Sequence, residues 1–354
     1  MTSDTSRILV DTAQRFFADR ITPEALHRAD AGEWLADVWA AADDLGLPLA
    51  LVPEEAGGFG VDMVDALGLI RIAGAAAAPL PLAETMLASW LLAKAGLELI
   101  AGPASVAPVL ADDRLELTRE GRGWRLTGSA QRVPWGRVAA GIAVMAEHDG
   151  VPHVARIDAG GWTTENAANL AGEPRDTLRF DVRLDAATVA PVPDGIDGTA
   201  LRAVGATMRS LALAGAIDRV LALTTHYAGE RVQFGRTLGK FQAIQQSLAV
   251  LAGQAAAAGA AADAAAEAVA EGFRPLPIAA AKVRCGEAAG IAASIAHQVH
   301  GAIGFTQEHS LHHLTRRLWA WREEFGNEAV WNRIIGRHVA AAGADGLWPL
   351  VTAA

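Results

Sequence analysis

The chain has 354 residues, with 40 acidic side chains against 30 basic ones for a net charge of −10, and a hydrophobic fraction of 51%. Such a chain lacks the basic surface that phosphate neutralisation requires, which excludes nucleic acid as a main partner; its length is enough for a sizeable core and two or three structural units. One cysteine, Cys285, excludes an internal disulfide framework and suits a reducing, cytoplasmic compartment.

The first residues, Met1-Thr-Ser-Asp-Thr-Ser6, carry no basic leader ahead of an apolar core, so no secretory signal is expected. From Ile8 to Ile100 the apolar residues recur at helical spacing, as in Trp34-Leu35-Val38-Trp39 and Leu67-Ile70-Ala73, which predicts an all-helical unit over 1–102. Pro48 and Pro53 bracket a piece expected to be extended, and Gly57-Gly58-Phe59-Gly60 is expected to turn into the next helix. The run Ala66 to Ala83 is the most apolar. Arg71, Pro79 and Pro81 interrupt it short of the ~20 residues that cross a bilayer, so it predicts a buried helix and its exit, with no membrane partner.

The pattern changes near Pro103. Short alternating runs at Arg122–Gly128, Gly141–Met145 and Leu178–Leu184, separated by Gly, Pro and Asp, predict a small β unit over 103–194. Over 195–354 the spacing is helical again: Leu201 to Gly229, an alanine-rich stretch from Phe241 to Ala270, Ile278 to Val299, and a fourth helix from Leu311. Four helices with modest connections predict a bundle, so the expected class is α+β, mainly α.

Two stretches stand out in this last unit. One is Glu230-Arg-Val-Gln-Phe-Gly-Arg-Thr-Leu-Gly-Lys-Phe-Gln242, ahead of the alanine-rich helix; the other is Gln298-Val-His-Gly-Ala-Ile-Gly-Phe305. Together, and with Leu47-Pro-Leu-Ala-Leu-Val-Pro-Glu-Glu-Ala-Gly-Gly-Phe-Gly60 upstream, they resemble the acyl-CoA dehydrogenase family over most of the chain. The resemblance implies that family's fold: an N-terminal helical domain, a middle β domain and a C-terminal four-helix bundle forming an oligomer core. It implies FAD, held between subunits, with Arg231, Phe234, Gly235, Gln242, Gln298, Gly301 and Gly304 at the matching cofactor positions. Trp135, in Arg132-Val-Pro-Trp-Gly-Arg137, falls where relatives put groups on the flavin, and Asn327 stands where relatives have a cofactor-contacting threonine. The middle unit is short: Gly102-Pro-Ala-Ser-Val-Ala-Pro108 runs on without the hydroxyl-bearing flavin loop of the family.

The family's reaction is α,β-dehydrogenation of an acyl-CoA to the 2-enoyl-CoA. A desolvated carboxylate takes the α proton and FAD accepts hydride, as in fatty acid β-oxidation and other lipid or steroid catabolism. Reading without gaps from Gln298, the family's usual base position falls on Phe325, and by spacing back from Arg231 the position that some relatives use instead falls on Gly205. Neither can accept a proton. Glu324 is the adjacent candidate for the catalytic carboxylate, although neighbouring helical residues point about 100° apart.

The resulting expectation is the non-base subunit of a heteromeric enzyme, resembling the paired subunits of actinobacterial acyl-CoA dehydrogenases. A self-sufficient dehydrogenase using Glu324 and a flavin-free assembly protein of the same fold are the alternatives. The expected partners are an acyl-CoA and a related subunit, in a homo- or hetero-oligomer, with electron-transfer flavoprotein or oxygen as the onward acceptor. No metal is expected, because no Cys or well-spaced carboxylate set accompanies His297, His300, His309, His312 and His313, and Gly301 and Gly304 break the helix between them. The cluster Arg316, Arg317, Arg322 reads either as a salt-bridged helix face or as a seat for an anion or partner.

Overall fold

The computed structural model describes residues 4–352. Five helices come first: α1 (Asp4–Arg20), α2 (Pro23–Asp30), α3 (Ala36–Asp44), α4 (Met63–Ala75) and α5 (Leu82–Lys94). Their starts follow local chemistry. The Thr22 hydroxyl accepts from the Ala25 N–H at 3.2 Å ahead of Pro23, and the Asp62 carboxylate accepts from the Val64 N–H at 2.9 Å. The piece expected to be extended between Pro48 and Pro53 begins instead as a 3₁₀ turn, Leu47–Leu49. Gly46, at φ 69°, reverses the chain, and Pro48 sits in the first turn, where its missing N–H costs nothing.

The β unit is one sheet of eight strands: β1 (Ala104–Ala107), β2 (Arg114–Glu120), β3 (Gly123–Pro134), β4 (Gly141–His148), β5 (Val151–Asp158), β6 (Thr163–Glu165), β7 (Arg175–Leu184) and β8 (Val189–Pro191). Its main path runs β6-β7-β3-β2-β4-β5-β8, with β1 parallel to β4. Its own core includes Leu117, Leu126, Val133, Ile142, Val144, Ile157, Leu178 and Phe180. Where β3 pairs β7 the register slips between Ala130 and Val133.

The bundle comprises α6 (Gly198–Glu230), α7 (Gln242–Ala270), α8 (Pro275–His300), α9 (Leu311–Trp321) and α10 (Glu328–Thr352), the last kinked at Gly343. A small hairpin, β9 (Val232–Gln233) with β10 (Arg236–Thr237), links α6 to α7. By length and composition α7, rather than the Ala66 to Ala83 run, is apolar enough to cross a membrane. In this fold it packs against its neighbours through Leu251, Ala255, Ala258, Ala262, Ala265 and Val269.

The N-terminal helices and the bundle share a single core, and α4 crosses α6 at backbone contact. A Cβ on Gly215 would come within 1.9 Å of the Arg71 carbonyl, and one on Gly74 within 2.3 Å of the Ala212 carbonyl. Arg71 then reaches Asp218 on α6 at 2.9 Å and Asp263 on α7 at 3.0 Å. We therefore expect Gly215→Ala to destabilise the protein by ~1–3 kcal/mol through forced separation of α4 and α6. The control Gly229→Ala, on the same helix with nothing within 4 Å of the new methyl, should leave thermal unfolding unchanged or raise its midpoint.

Candidate functional site

The connection between α9 and α10 holds the two residues at issue. Phe325 is buried and left-handed, at φ 53°. Its ring packs on Gly205 of α6 so closely that a Cβ there would lie 2.2 Å from it. The two positions that the family resemblance marks for a base are therefore in contact, ring against glycine, and neither carries a carboxylate. The connection is held down on both sides: the Lys282 ammonium donates to the carbonyls of Arg322 and Gly326, each at 2.7 Å, and the Trp331 indole donates to the Phe325 carbonyl at 2.9 Å. Lys282 is fully buried, which pushes its pKa down to about 8 against the pull of Glu328 and Glu324.

Glu324 points the other way, into a buried ionic network. Arg175 of β7 grips it with two N–H groups, at 2.7 and 3.0 Å; Arg209 of α6 donates at 2.6 Å, and the Asn169 amide at 3.0 Å. Arg209 also donates to Glu84 of α5. Arg175 donates to Glu173 at 2.9 Å, and Glu173 in turn accepts from the Trp321 indole at 3.0 Å and pairs with Arg317 at 3.0 Å. Three carboxylates meet three guanidiniums, so the cluster is internally neutral.

Burial alone would raise the pKa of Glu324, but Arg175 and Arg209 outweigh it and draw it down to about 2. A carboxylate in that position stays ionised at neutral pH and is a weak acceptor for a carbon-bound proton. The network also fills the space between α4, α5, α6 and the β unit. What remains there is a chamber of about 30 Å³ beside Glu84 and Arg209, and one of about 90 Å³ beside Trp34 and Arg317. Neither admits an acyl chain. Trp135 lines both chambers, packed 5.9 Å from Trp34.

A wider cavity, about 420 Å³, lies across the connection between the β unit and α9. Its walls include Leu110, Pro134, Leu170, Trp319 and Phe325, with Arg132 and Glu323 among its polar groups. The chain from β1 to β2 is short and forms part of the wall through Val109 and Leu110.

The remaining predicted residues gather on the outside, at one end of the bundle. Arg231 caps α6, Phe234 and Gly235 form the hairpin tip, and Gln242 opens α7. Phe234 is 90% exposed. Gln298 lies in the last turn of α8, and Gly301, at φ 64°, ends that helix. The two stretches are joined by Tyr227 of α6, whose ring stacks on His300 of α8 at 4.5 Å. The side chains of Arg231, Gln242 and Gln298 make no hydrogen bond or ion pair among the described residues, and nothing lies within 4 Å of the open side of Gly235 or Gly301. Gly304 differs: it is buried, with a Cβ there only 3.1 Å from His300 and Leu311. Asn327 accepts from the Val330 N–H at 3.3 Å at the start of α10 and donates to Glu323 at 3.1 Å.

Sequence reasoning missed Glu84, Asn169, Glu173, Arg175, Arg209 and Lys282. The signal available was a charge inside an apolar helix stretch, as at Glu84, Arg209 and Lys282. The arginine cluster resolves into pairs: Arg316 with Asp30 at 3.2 Å, Arg317 with Glu173, and Arg322 with Glu328 at 2.8 Å. Asp30 also faces His312 and His313, and the guanidinium on the same carboxylate opposes a metal cation there.

Comparison with known proteins agrees with this architecture. The family models described as acyl-CoA dehydrogenase N-terminal domain and acyl-CoA dehydrogenase C-terminal domain match residues 3–100 and 202–340. The acyl-CoA dehydrogenase IpdE2 of Mycobacterium tuberculosis is 31% identical over 318 residues, covering 86% of this chain and 88% of that protein. Acyl-CoA dehydrogenase FadE27 of the same organism is 29% identical over 251 residues, covering 64% and 66%. Among solved structures, the ChsE4-ChsE5 complex from Mycobacterium tuberculosis superposes with a TM-score of 0.87 at 25% identity, over 97% of this chain and 99% of the matched one. Butyryl-CoA dehydrogenase from Megasphaera elsdenii shares the fold at a TM-score of 0.80 and 19% identity, over 96% and 98%.

Two outcomes follow from the network. Glu324→Gln leaves Arg175 and Arg209 short of a counter-charge and should cost ~3–5 kcal/mol in chemical denaturation at pH 7. The Glu324 contribution is full above its ordinary value of 4.5 and is lost as pH falls from there toward 2, so the gap between the wild type and this variant should close over that range. Lys282 behaves oppositely. Its charge is disfavoured in the fold, so between about 8 and its ordinary 10.5 the unfolded chain holds the extra proton, and the stability of the wild type relative to Lys282→Met should rise with pH across that window by up to ~3 kcal/mol.

Proposed function

The chain belongs to the acyl-CoA dehydrogenase family, and on that premise we propose that it is the non-base subunit of a heteromeric, FAD-dependent acyl-CoA dehydrogenase, working in the cytoplasm on a lipid-derived thioester. Enzymes of this family are oxidoreductases with FAD as cofactor. Bound flavin supplies the hydride-accepting chemistry of α,β-dehydrogenation.

One observation carries the reading. The Phe325 ring, at the position where the family resemblance puts the base, packs against Gly205, and the adjacent carboxylate Glu324 is committed to Arg175 and Arg209. An enzyme that removes an α proton needs a carboxylate that is desolvated and free to accept it, and this chain offers none at that point. Beside the paired charges Arg209–Glu84 and Arg209–Glu324 only a chamber of about 30 Å³ remains, too small for an acyl chain.

The outer edge supports the complementary half of the reading. Arg231, Gln242 and Gln298 are unpaired donors, and Gly235 and Gly301 leave their outer sides open, a set suited to the diphosphate of a dinucleotide presented by a neighbouring subunit. The solved ChsE4-ChsE5 complex and the Tcur3481-Tcur3483 steroid enzyme are two-protein assemblies with this fold. A related subunit carrying the carboxylate is the partner we assign.

Co-expression tests the assignment. The purified chain alone should be colourless, and should co-purify with a family member encoded beside it as a yellow complex that bleaches on addition of its acyl-CoA. A yellow chain that bleaches alone would establish a self-sufficient enzyme instead, and a complex that stays colourless would establish an assembly role. In the complex, Arg231→Ala should weaken FAD retention by roughly tenfold or more, the loss of a charge-assisted phosphate contact, as read by flavin release on dilution.

A further inference from the structure

We infer that helix α2 is an acid-released lid: Asp30 at its end latches it to α9 through Arg316 and His313, and protons taken up by the histidines of that seam push the two helices apart and open the chambers that α2 covers.

The helix has little else to hold it. It has eight residues and buries only Ala25 and Leu26, so the polar seam along its last turn supplies much of its anchorage. One oxygen of Asp30 stands 3.2 Å from the Arg316 guanidinium, 3.3 Å from His313 Nδ1 and 3.8 Å from His312 Nε2. His27, a turn earlier, donates from Nε2 to the Gln307 carbonyl at 3.2 Å, and its ring lies 5.8 Å from that of His313. The rings of His312 and His313 are 3.9 Å apart. Three imidazoles, contributed from both sides of the seam, thus crowd a single carboxylate.

Arg316 already balances that carboxylate while the rings are neutral. The other charges around the seam leave no anion to spare. Arg317 is matched by Glu173 at 3.0 Å, and Arg28 turns outward to Glu33 at 2.6 Å and Asp37 at 3.0 Å. Arg219 of α6 lines a cavity beside His313, and His297 of α8 lies close enough to His312 for their charges to oppose each other. A proton arriving at His312 goes to Nε2, because Nδ1–H is spent on the His309 carbonyl at 2.7 Å, and there it meets an oxygen that Arg316 and His313 already crowd.

Burial, with His313 alongside, holds His312 below its ordinary 6.5. Burial also opposes the charge of Asp30, but His313 and Arg316 outweigh it and keep its carboxyl below the ordinary 3.8. The carboxylate therefore stays ionised at the pH values where imidazoles titrate. The docked seam binds fewer protons at His312 than the released one, so this contribution to its stability is full above 6.5 and is lost as pH falls from there.

Two spaces lie against this helix. Pro23 and Leu26 wall a cavity of about 470 Å³ shared with α1, α4, α6 and α9, and Ala29 and Asp30 wall the 90 Å³ chamber beside Trp135 and Arg317. With α2 away both open to solvent, and Arg317 carries the change to Glu173 in the network around Glu324. The lid belongs to this chain's own fold and is independent of the subunit assignment.

Hydrogen–deuterium exchange of the full-length chain, in complex with its partner if it purifies only so, tests the lid. A ring that stays neutral while docked and titrates freely on release is worth about tenfold at about pH 5.5. The protection factor over residues 23–30 should thus fall by about tenfold or more between pH ~7.5 and ~5.5, while that over α7 holds. Asp30→Asn should be as unprotected over this helix at the upper pH as the wild type is at the lower. His312→Gln combined with His313→Gln should abolish the response, and His312→Gln alone, at the partly buried member of the pair, should cut it to about half on a logarithmic scale. A flat profile over 23–30, an equal fall in α7, full protection in Asp30→Asn or an undiminished response in His312→Gln overturns the inference.

Discussion

Arg175 and Arg209, closing on Glu324, join the three parts of this protein. Arg175 comes from the sheet, Arg209 from the long helix α6, and Glu324 from the connection behind α9; Glu84 brings in the N-terminal helices through Arg209. An ion pair at such depth repays its desolvation only when each lone pair and N–H finds a partner. Here Asn169, Glu173 and the Trp321 indole supply most of them, while the buried Arg317 Nε lies 3.0 Å from Glu173 as an ion pair without hydrogen-bond geometry. The arrangement is closer to a keystone than to a reaction centre, and its neutrality is what allows it to stay buried.

The same commitment explains why the connection can carry Phe325 in a left-handed conformation. Lys282 from below and Trp331 from α10 fix its backbone, and Glu324 is drawn away to the arginines, which leaves the ring facing Gly205. Only glycine at position 205 gives that ring room. Phe325 and Gly205 are thus one packing solution, each dependent on the other.

A protein organised in this way presents two faces. Inward, its charges neutralise one another and leave only small chambers. Outward, at the end of the bundle where Tyr227 stacks on His300, unpaired donors and open glycines are left without partners within the chain. Exposed apolar residues nearby, Phe234 and Phe305 foremost, belong to the same surface. A surface of this composition is expected at the seam of an assembly.

Helical periodicity and the alternation of the middle strands were enough to read the order of helix, sheet and bundle from the residues alone, since burial on one face repeats every 3.6 or 2 positions wherever the chain folds. The glycine-bearing stretches around Arg231 and Gly301 stand out in the residues too, because local glycines and a fixed spacing mark them, and no proton acceptor stands at Phe325 or Gly205. That the second of these residues receives the ring of the first was not, and neither was the fate of Glu324: its partners stand 149 and 115 positions away, and nothing local in the chain distinguishes a solvated carboxylate from one held between two guanidiniums. Nor could the sequence show that Trp135 turns toward Trp34, or that the bulge at Arg132 opens toward a cavity. These depend on which elements meet in space, and long-range packing alone decides that.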